Sequence, residues 1–156
     1  MSYSQAILNC ITRFLDDDDW KYRVDTEKEV IKSGLSLNSK MKHVDIMFDL
    51  RDDKYLLYFI CPLNVDKEER AEMRDLMNRI NYGIMFGCFE MDDRDGEIRF
   101  RYPVDCDNML PSQEVIRHSV YRSAMTVKKY GDAIVRVLMG FSTGKEAYEL
   151  AQDNDD

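Results

Sequence analysis

The 156-residue chain is the size of one domain and can bury roughly 70% of the surface its unfolded form exposes. Apolar residues make up 44% and charged residues 33%, a folded, soluble composition that excludes a disordered chain. A net charge of −8 argues against a general phosphate-backbone binder, which gains affinity by neutralising phosphates with Lys and Arg. No apolar run approaches the roughly 20 residues of a membrane helix. The opening MSYSQAILNCITRF has no basic stretch and no small-residue cleavage site, so no signal peptide is expected. Cys10, Cys61, Cys88 and Cys106 form no CxxC pair and no zinc spacing. They read as small core hydrophobes of a protein in a reducing cytosol.

Residues 4–15 carry Ile7, Cys10, Ile11 and Phe14 at helical spacing, which predicts one amphipathic helix. The run Asp16 to Asp19 ends it, because carboxylates at a helix C-terminus oppose the dipole. In WKYRV, residues 20–24, Trp20, Tyr22 and Val24 alternate as in a strand. EVIKSGLSL, residues 29–37, is a second strand, with Gly34 expected at a bulge. HVDIMFDLR, residues 43–51, turns Val44, Ile46, Phe48 and Leu50 one way. His43, Asp45, Asp49 and Arg51 face the other way, with Met47 among them, as in a half-buried antiparallel strand. After a turn at Asp52 and Asp53, KYLLYFIC is apolar on both sides. Tyr55, Leu57 and Phe59 face one way, and Leu56, Tyr58 and Ile60 the other. A helix, the chain's own tail or another subunit is expected over the second side.

Asp66 and Glu69 form a capping box after Pro62, and Met73, Leu76, Met77 and Ile80 give the next helix its buried stripe. NYG at 81–83 closes it, and strands 84–92 and 97–104 follow. Pro111 and Ser112 start a helix with Ile116, Val120, Ala124 and Val127 inward. Ile134, Val137, Leu138 and Phe141 continue the spacing beyond Gly131, and Thr143 and Glu146 cap a short helix to about Ala151. Strands segregated from helices predict an α+β fold. Its antiparallel sheet of five to six strands is packed by N-terminal, middle and C-terminal helices. Residues 1–152 form a single domain and 153–156 an acidic tail.

Three stretches invite a chemical reading. In FEMDDRDGEIRFRY, residues 89–102, aligning Gly96 with the invariant glycine of a calcium loop puts Met91 and Tyr102 where the first and last ligands belong. The stretch reads instead as a hairpin, with Asp-Gly supplying the positive φ angles of a tight turn. GFSTGKE at 140–146 is one residue short of a phosphate loop and ends in Glu, so it reads as a helix-to-helix turn. His43, Asp45 and Asp49 share a strand face and suit acid–base work, but no nucleophile or glycine-rich loop joins them. An enzyme using them is an alternative reading. Another is docking of an acidic partner or nucleic acid on Arg122, Lys129 and Arg136, which repeat every seven residues along one helical face. No metal site and no cofactor are expected.

The segment from Leu76 to Pro103 resembles the YbjN-domain family of bacterial proteins. The resemblance is carried by Asn78 and Asn81 at a helix end and Gly87-Cys88-Phe89 on a short strand. The acidic turn Asp93-Arg94-Asp95-Gly96 and the strand end Tyr102-Pro103 complete it. In element order it spans most of the chain. It implies a fold like type III secretion chaperones, a curved antiparallel sheet packed by helices, often dimeric and without known catalytic residues. The expectation is a non-catalytic, chaperone-like protein-interaction or regulatory module. Its partner is another protein or a second copy, met through Tyr55, Tyr58 and Ile60.

Overall fold

The computed structural model describes residues 3–154. Helix α1 (Gln5–Asp17) starts where the Ser4 hydroxyl accepts the Ile7 amide at 3.2 Å, which satisfies one of the unpaired donors of the first turn. Its stripe Ile7, Leu8, Ile11, Phe14 and Leu15 is buried, and Asp18 caps the C-terminus. Six strands follow among the described residues: β1 (Arg23–Asp25), β2 (Val30–Ser36), β3 (His43–Leu50), β4 (Lys54–Ile60), β5 (Cys88–Met91) and β6 (Ile98–Asp105). They form one sheet in the order β1-β2-β3-β4-β6-β5, with every pairing antiparallel. This is the α+β architecture the pattern predicts.

Some boundaries differ from the sequence reading. The strand expected at 20–24 shrinks to β1; Val24 is exposed while Trp20 and Tyr22 pack on the core. The β2–β3 register runs without an extra residue from Val30 opposite Asp49 to Ser36 opposite His43, so Gly34 is not at a bulge. Its bare backbone instead accommodates the His43 ring, since a Cβ there would lie 2.9 Å from His43 Cε1. The Asp66 side chain makes no capping bond. A 3₁₀ turn, Lys67–Glu69, precedes helix α2 (Arg70–Gly83), and the Glu69 carboxylate lies near Gly140 rather than reaching back.

The core fills one face of the sheet. Ile46, Phe48, Tyr55, Leu57, Phe59 and Phe100 are at most 2% exposed, and burying each such side chain contributes about 1.5–3 kcal/mol. Helix α2 adds Met73, Leu76, Met77 and Ile80, as its spacing predicts. Helix α3 (Gln113–Leu138) runs unbroken through Gly131 and adds Ile116, Val120, Val127, Ile134 and Val137. Phe141, expected inward, is exposed, because Met139 caps α3 and Gly140 (φ +75°) turns the chain. Thr143 accepts the Glu146 amide at 3.1 Å and starts α4 (Gly144–Asp153), which packs on α2 and α3. Of the expected acidic tail, Asp153 ends α4 and Asn154 caps it, while Asp155 and Asp156 lie outside the described residues.

Strand β5 is an edge of the sheet. The Asn81 side chain closes that edge by accepting from the Phe89 amide at 2.8 Å and donating to the Phe89 carbonyl at 2.9 Å. Unpaired backbone at an edge otherwise templates pairing with another chain.

Candidate functional site

The second face of the sheet is built from the alternate residues of the same strands. One cross-strand row runs Arg23, Lys32, Met47, Tyr58, Arg101, Cys88. Val30 and Tyr58 are buried on this face yet do not belong to the core cluster. Tyr58 is 6% exposed, and a neighbouring cationic side chain supplies cover. The Arg99 guanidinium sits 4.2 Å from its ring centre, and Glu90 holds that cation in place at 2.6 Å and Arg101 at 3.4 Å. An arginine stem and a cation over a ring desolvate an aromatic side chain without a second layer. Ile60 lies half-buried beside Arg99 in the register.

Tyr55 lies on the opposite face. It is fully buried, with its hydroxyl 2.9 Å from Ser119 Oγ, and burial pushes its phenol well above the usual range. It is out of reach of any partner of the folded chain, which corrects its place among the expected contact residues.

His43 Nε2 lies 2.9 Å from Asp45 Oδ1, but both side chains are open to solvent. Asp49 is taken by Arg51 through two bonds, at 3.2 and 2.8 Å. Asp49 is thereby held by Arg51 rather than turned towards the His43–Asp45 pair. Beside it lies a shallow depression of about 300 Å³ lined by Arg23, Lys32, Asp45, Met47 and Ile60.

The aspartates of the β5–β6 turn each have a protein partner. Asp92 accepts from the Arg94 side chain at 2.7 Å and the Arg94 amide at 2.9 Å, which hold its carboxyl down at about 2. Asp93 binds Arg74 at 2.6 Å, and Asp95 accepts the Glu97 amide at 3.0 Å. Among the described residues no group of three His, Cys, Asp or Glu is placed to hold a metal. The turn is a hairpin as predicted, but only Gly96 has a positive φ, +79°, so it is not the two-residue Asp-Gly turn. Gly96 is also demanded by a close approach: a Cβ there would collide with the Val65 carbonyl, and its own carbonyl accepts the Val65 amide at 2.9 Å.

The predicted basic stripe divides. Arg122 stacks over the Phe86 ring at 3.9 Å and donates to the Tyr102 hydroxyl at 3.2 Å. Lys129 donates to Gln152 at 3.4 Å and Arg136 to Ser142 at 3.0 Å, both at the α3–α4 seam. What the sequence reading missed is the loop between α2 and β5, taken there as strand. Tyr82, in the last turn of α2, is 96% exposed, Met85 in the loop is 92% exposed, and Phe86 stacks on Tyr102 with ring centres 6.2 Å apart. Gly87 (φ +74°) lets this loop close on Phe100, which a Cβ would meet at 2.5 Å. The signal was present in the three glycine-flanked apolar residues Ile84-Met85-Phe86, which are too few for a buried strand.

These elements define an α+β protein built on one open-faced antiparallel sheet. The chain belongs to the YbjN family, whose model, described as "Putative bacterial sensory transduction regulator", matches residues 8–136. Among solved structures it is similar to that of YbjN, titled a "putative transcription regulator", from E. coli. The TM-score is 0.59 at 14% identity over 85% of this chain and 89% of that one, a likeness that establishes the fold alone. No curated protein matches the sequence.

Proposed function

We propose that the protein is a non-catalytic regulatory module of the bacterial cytoplasm that works by binding another protein, in the manner of a chaperone-like domain. The family description supports a regulator. The observation that carries the reading is the segment made of the last turn of α2 and the loop after it. It presents Tyr82 and Met85 almost fully to solvent on a backbone fixed by Gly87, by the Phe86–Tyr102 stack and by Arg122. A backbone fixed before binding loses little freedom when a partner covers the aromatic and methionine side chains it carries. The face around Tyr58 and Ile60 suits a partner less, because Arg99 and Glu90 already cover the ring.

The cysteines support a reducing compartment. All four are free, and burial pushes the Cys61 and Cys106 thiols up to about 12 and about 11, so both stay protonated and unreactive at neutral pH. No helix among the described residues is long and apolar enough to cross a membrane.

The test is affinity capture from native bacterial lysate with the wild-type chain and with Tyr82→Ser/Met85→Ser. A partner retained by the first and lost by the second is the expected result. No specific partner, or one held equally by both, ends this reading.

A further inference from the structure

We infer that the open face of the sheet at its β1–β2 end is a binding site for a small organic phosphomonoester. Lys21, Arg23 and Lys32 hold the phosphate, and the apolar body lies on Met47 and Ile60. This goes beyond the regulatory-module reading and does not depend on it.

Placement is the first argument. Two depressions adjoin at this end of the sheet and share Arg23, Lys32 and Ser33 in their walls. One, of about 340 Å³, adds Lys21, Tyr22 and Gly34. The other, of about 300 Å³, adds Asp45, Ile46, Met47 and Ile60. The register fixes the arrangement. Arg23 lies opposite Lys32 and Lys32 opposite Met47, while Gly34, Asp45 and Ile60 form the next row. The Ser33 hydroxyl donates to the Lys21 carbonyl at 2.7 Å and so ties the backbone of that lysine to β2.

Charge is the second argument. Like charges directly opposite each other weaken a sheet, yet Arg23 and Lys32 are such a pair. Elsewhere on the same face Arg51, Arg99 and Arg101 each reach a carboxylate, while Lys21, Arg23 and Lys32 make no ion pair among the described residues. The nearby acids have other partners. Asp45, which lines the second depression, lies 2.9 Å from His43 Nε2, and Asp49 is bound by Arg51. Asp25 accepts the Lys28 amide at 3.0 Å, and that bond, helped by the Lys28 and Lys32 cations, holds its carboxyl low. Three cations against Asp45 leave a surplus of two positive charges, and of one when Asp25 is counted as well. A phosphomonoester carries about −1.5 to −2 at neutral pH and offers three acceptor oxygens to the three cationic groups.

The apolar part is bounded. Met47 and Ile60 are half-buried, and beyond Ile60 the Arg99 guanidinium already closes over Tyr58. The ligand body is therefore short. A nucleic acid fits less well, because the net charge of −8 repels a polyphosphate and the Tyr58 ring is not offered to a base.

The test follows backbone amide NMR shifts of the full chain during titration with phenyl phosphate, inorganic phosphate, benzoate and a single-stranded oligothymidine. Phenyl phosphate is expected to shift the amides of Arg23, Lys32, Met47 and Ile60 at about millimolar concentration, and less as salt rises. Inorganic phosphate, without a body, and benzoate, without the second charge, should each bind about tenfold more weakly. Lys32→Gln and Arg23→Gln should each weaken phenyl phosphate about tenfold, and Lys40→Gln, outside both depressions, should not. Because the opposed cations repel, Lys32→Gln should leave the urea midpoint of the free chain unchanged or raise it. No shift at these amides, shifts centred elsewhere, or benzoate or inorganic phosphate bound as tightly overturns the inference. So does tighter binding of the oligothymidine, insensitivity to Lys32→Gln, or a lower midpoint for that variant, which would show the lysine serving the fold instead.

Discussion

The two faces of β4 are equally apolar in sequence and are stabilised by different physics. On one face Tyr55 sits under α3, dry, with its hydroxyl on Ser119. On the other Tyr58 is buried almost as deeply, but beneath the side chain of Arg99, which is pinned by Glu90. Burial therefore does not report a second layer of secondary structure. A sheet can close a face with its own long cationic side chains, at the cost of making that face sensitive to charge.

The comparison gives a graded set of outcomes. Phe100→Ala opens a cavity on the helix-covered face and should cost about 3–5 kcal/mol in urea unfolding. Tyr58→Ala should cost less, about 2 kcal/mol, because the Arg99 side chain can settle and water can enter; an equal loss would erase the distinction. Tyr55→Phe should cost about 1 kcal/mol, since Ser119 keeps its 2.7 Å bond to the Ile116 carbonyl. Arg99→Met should cost about 0.5–1 kcal/mol and abolish whatever salt dependence Tyr58 burial has, read in a double-mutant cycle at two ionic strengths.

The remaining effects are in pH, and the two faces should differ in sign. Cys61, in the core, has its thiol raised from 9.0 to about 12 by burial. Its contribution is complete below about 9 and is lost as pH climbs towards 12, so the covered face weakens in alkali. Asp92, at the rim of the open face, has its carboxyl lowered to about 2 by Arg94. Its contribution is present above the ordinary carboxylate range and is lost as pH falls towards 2. Arg94→Ala should raise the Asp92 titration from about 2 only part of the way back, because the residue-94 amide and Arg99 still act on the carboxylate, a change followed by carboxyl NMR shifts. A titration unmoved by the change would mean that the backbone amide, and not the side chain, sets it.

The inner face was legible in sequence because it is local: the period-two run of β3 and the helical stripes of α2 and α3 each lie within one element. The Thr143 cap was legible for the same reason. The cover over Tyr58 was not, because Arg99 reaches it only through the β4–β6 register, set across an intervening helix and hairpin. Asn81 was visible as a family residue but not as an edge clasp, because that role exists only once Phe89 is known to be on the outermost strand. Tyr55 was misplaced as a contact residue, since nothing within the strand itself tells which of its two apolar sides the helices will choose. Loop 84–87 was taken as strand from composition alone, and the φ of Gly87 and its closeness to Phe100 overrule that preference.

The contact between Gly96 and Val65 has a consequence for how the molecule opens. The Val65 amide is held by the hairpin, Arg70 bonds both the Val65 and Asp93 carbonyls, and Arg74 binds the Asp93 carboxylate. The first turn of α2 cannot lift away without breaking these bonds to the tip of the β5–β6 hairpin. The two distant stretches of chain therefore belong to one cooperative opening unit, and in native-state deuterium exchange the amides of Val65 and Gly96 should gain label at matching free energies.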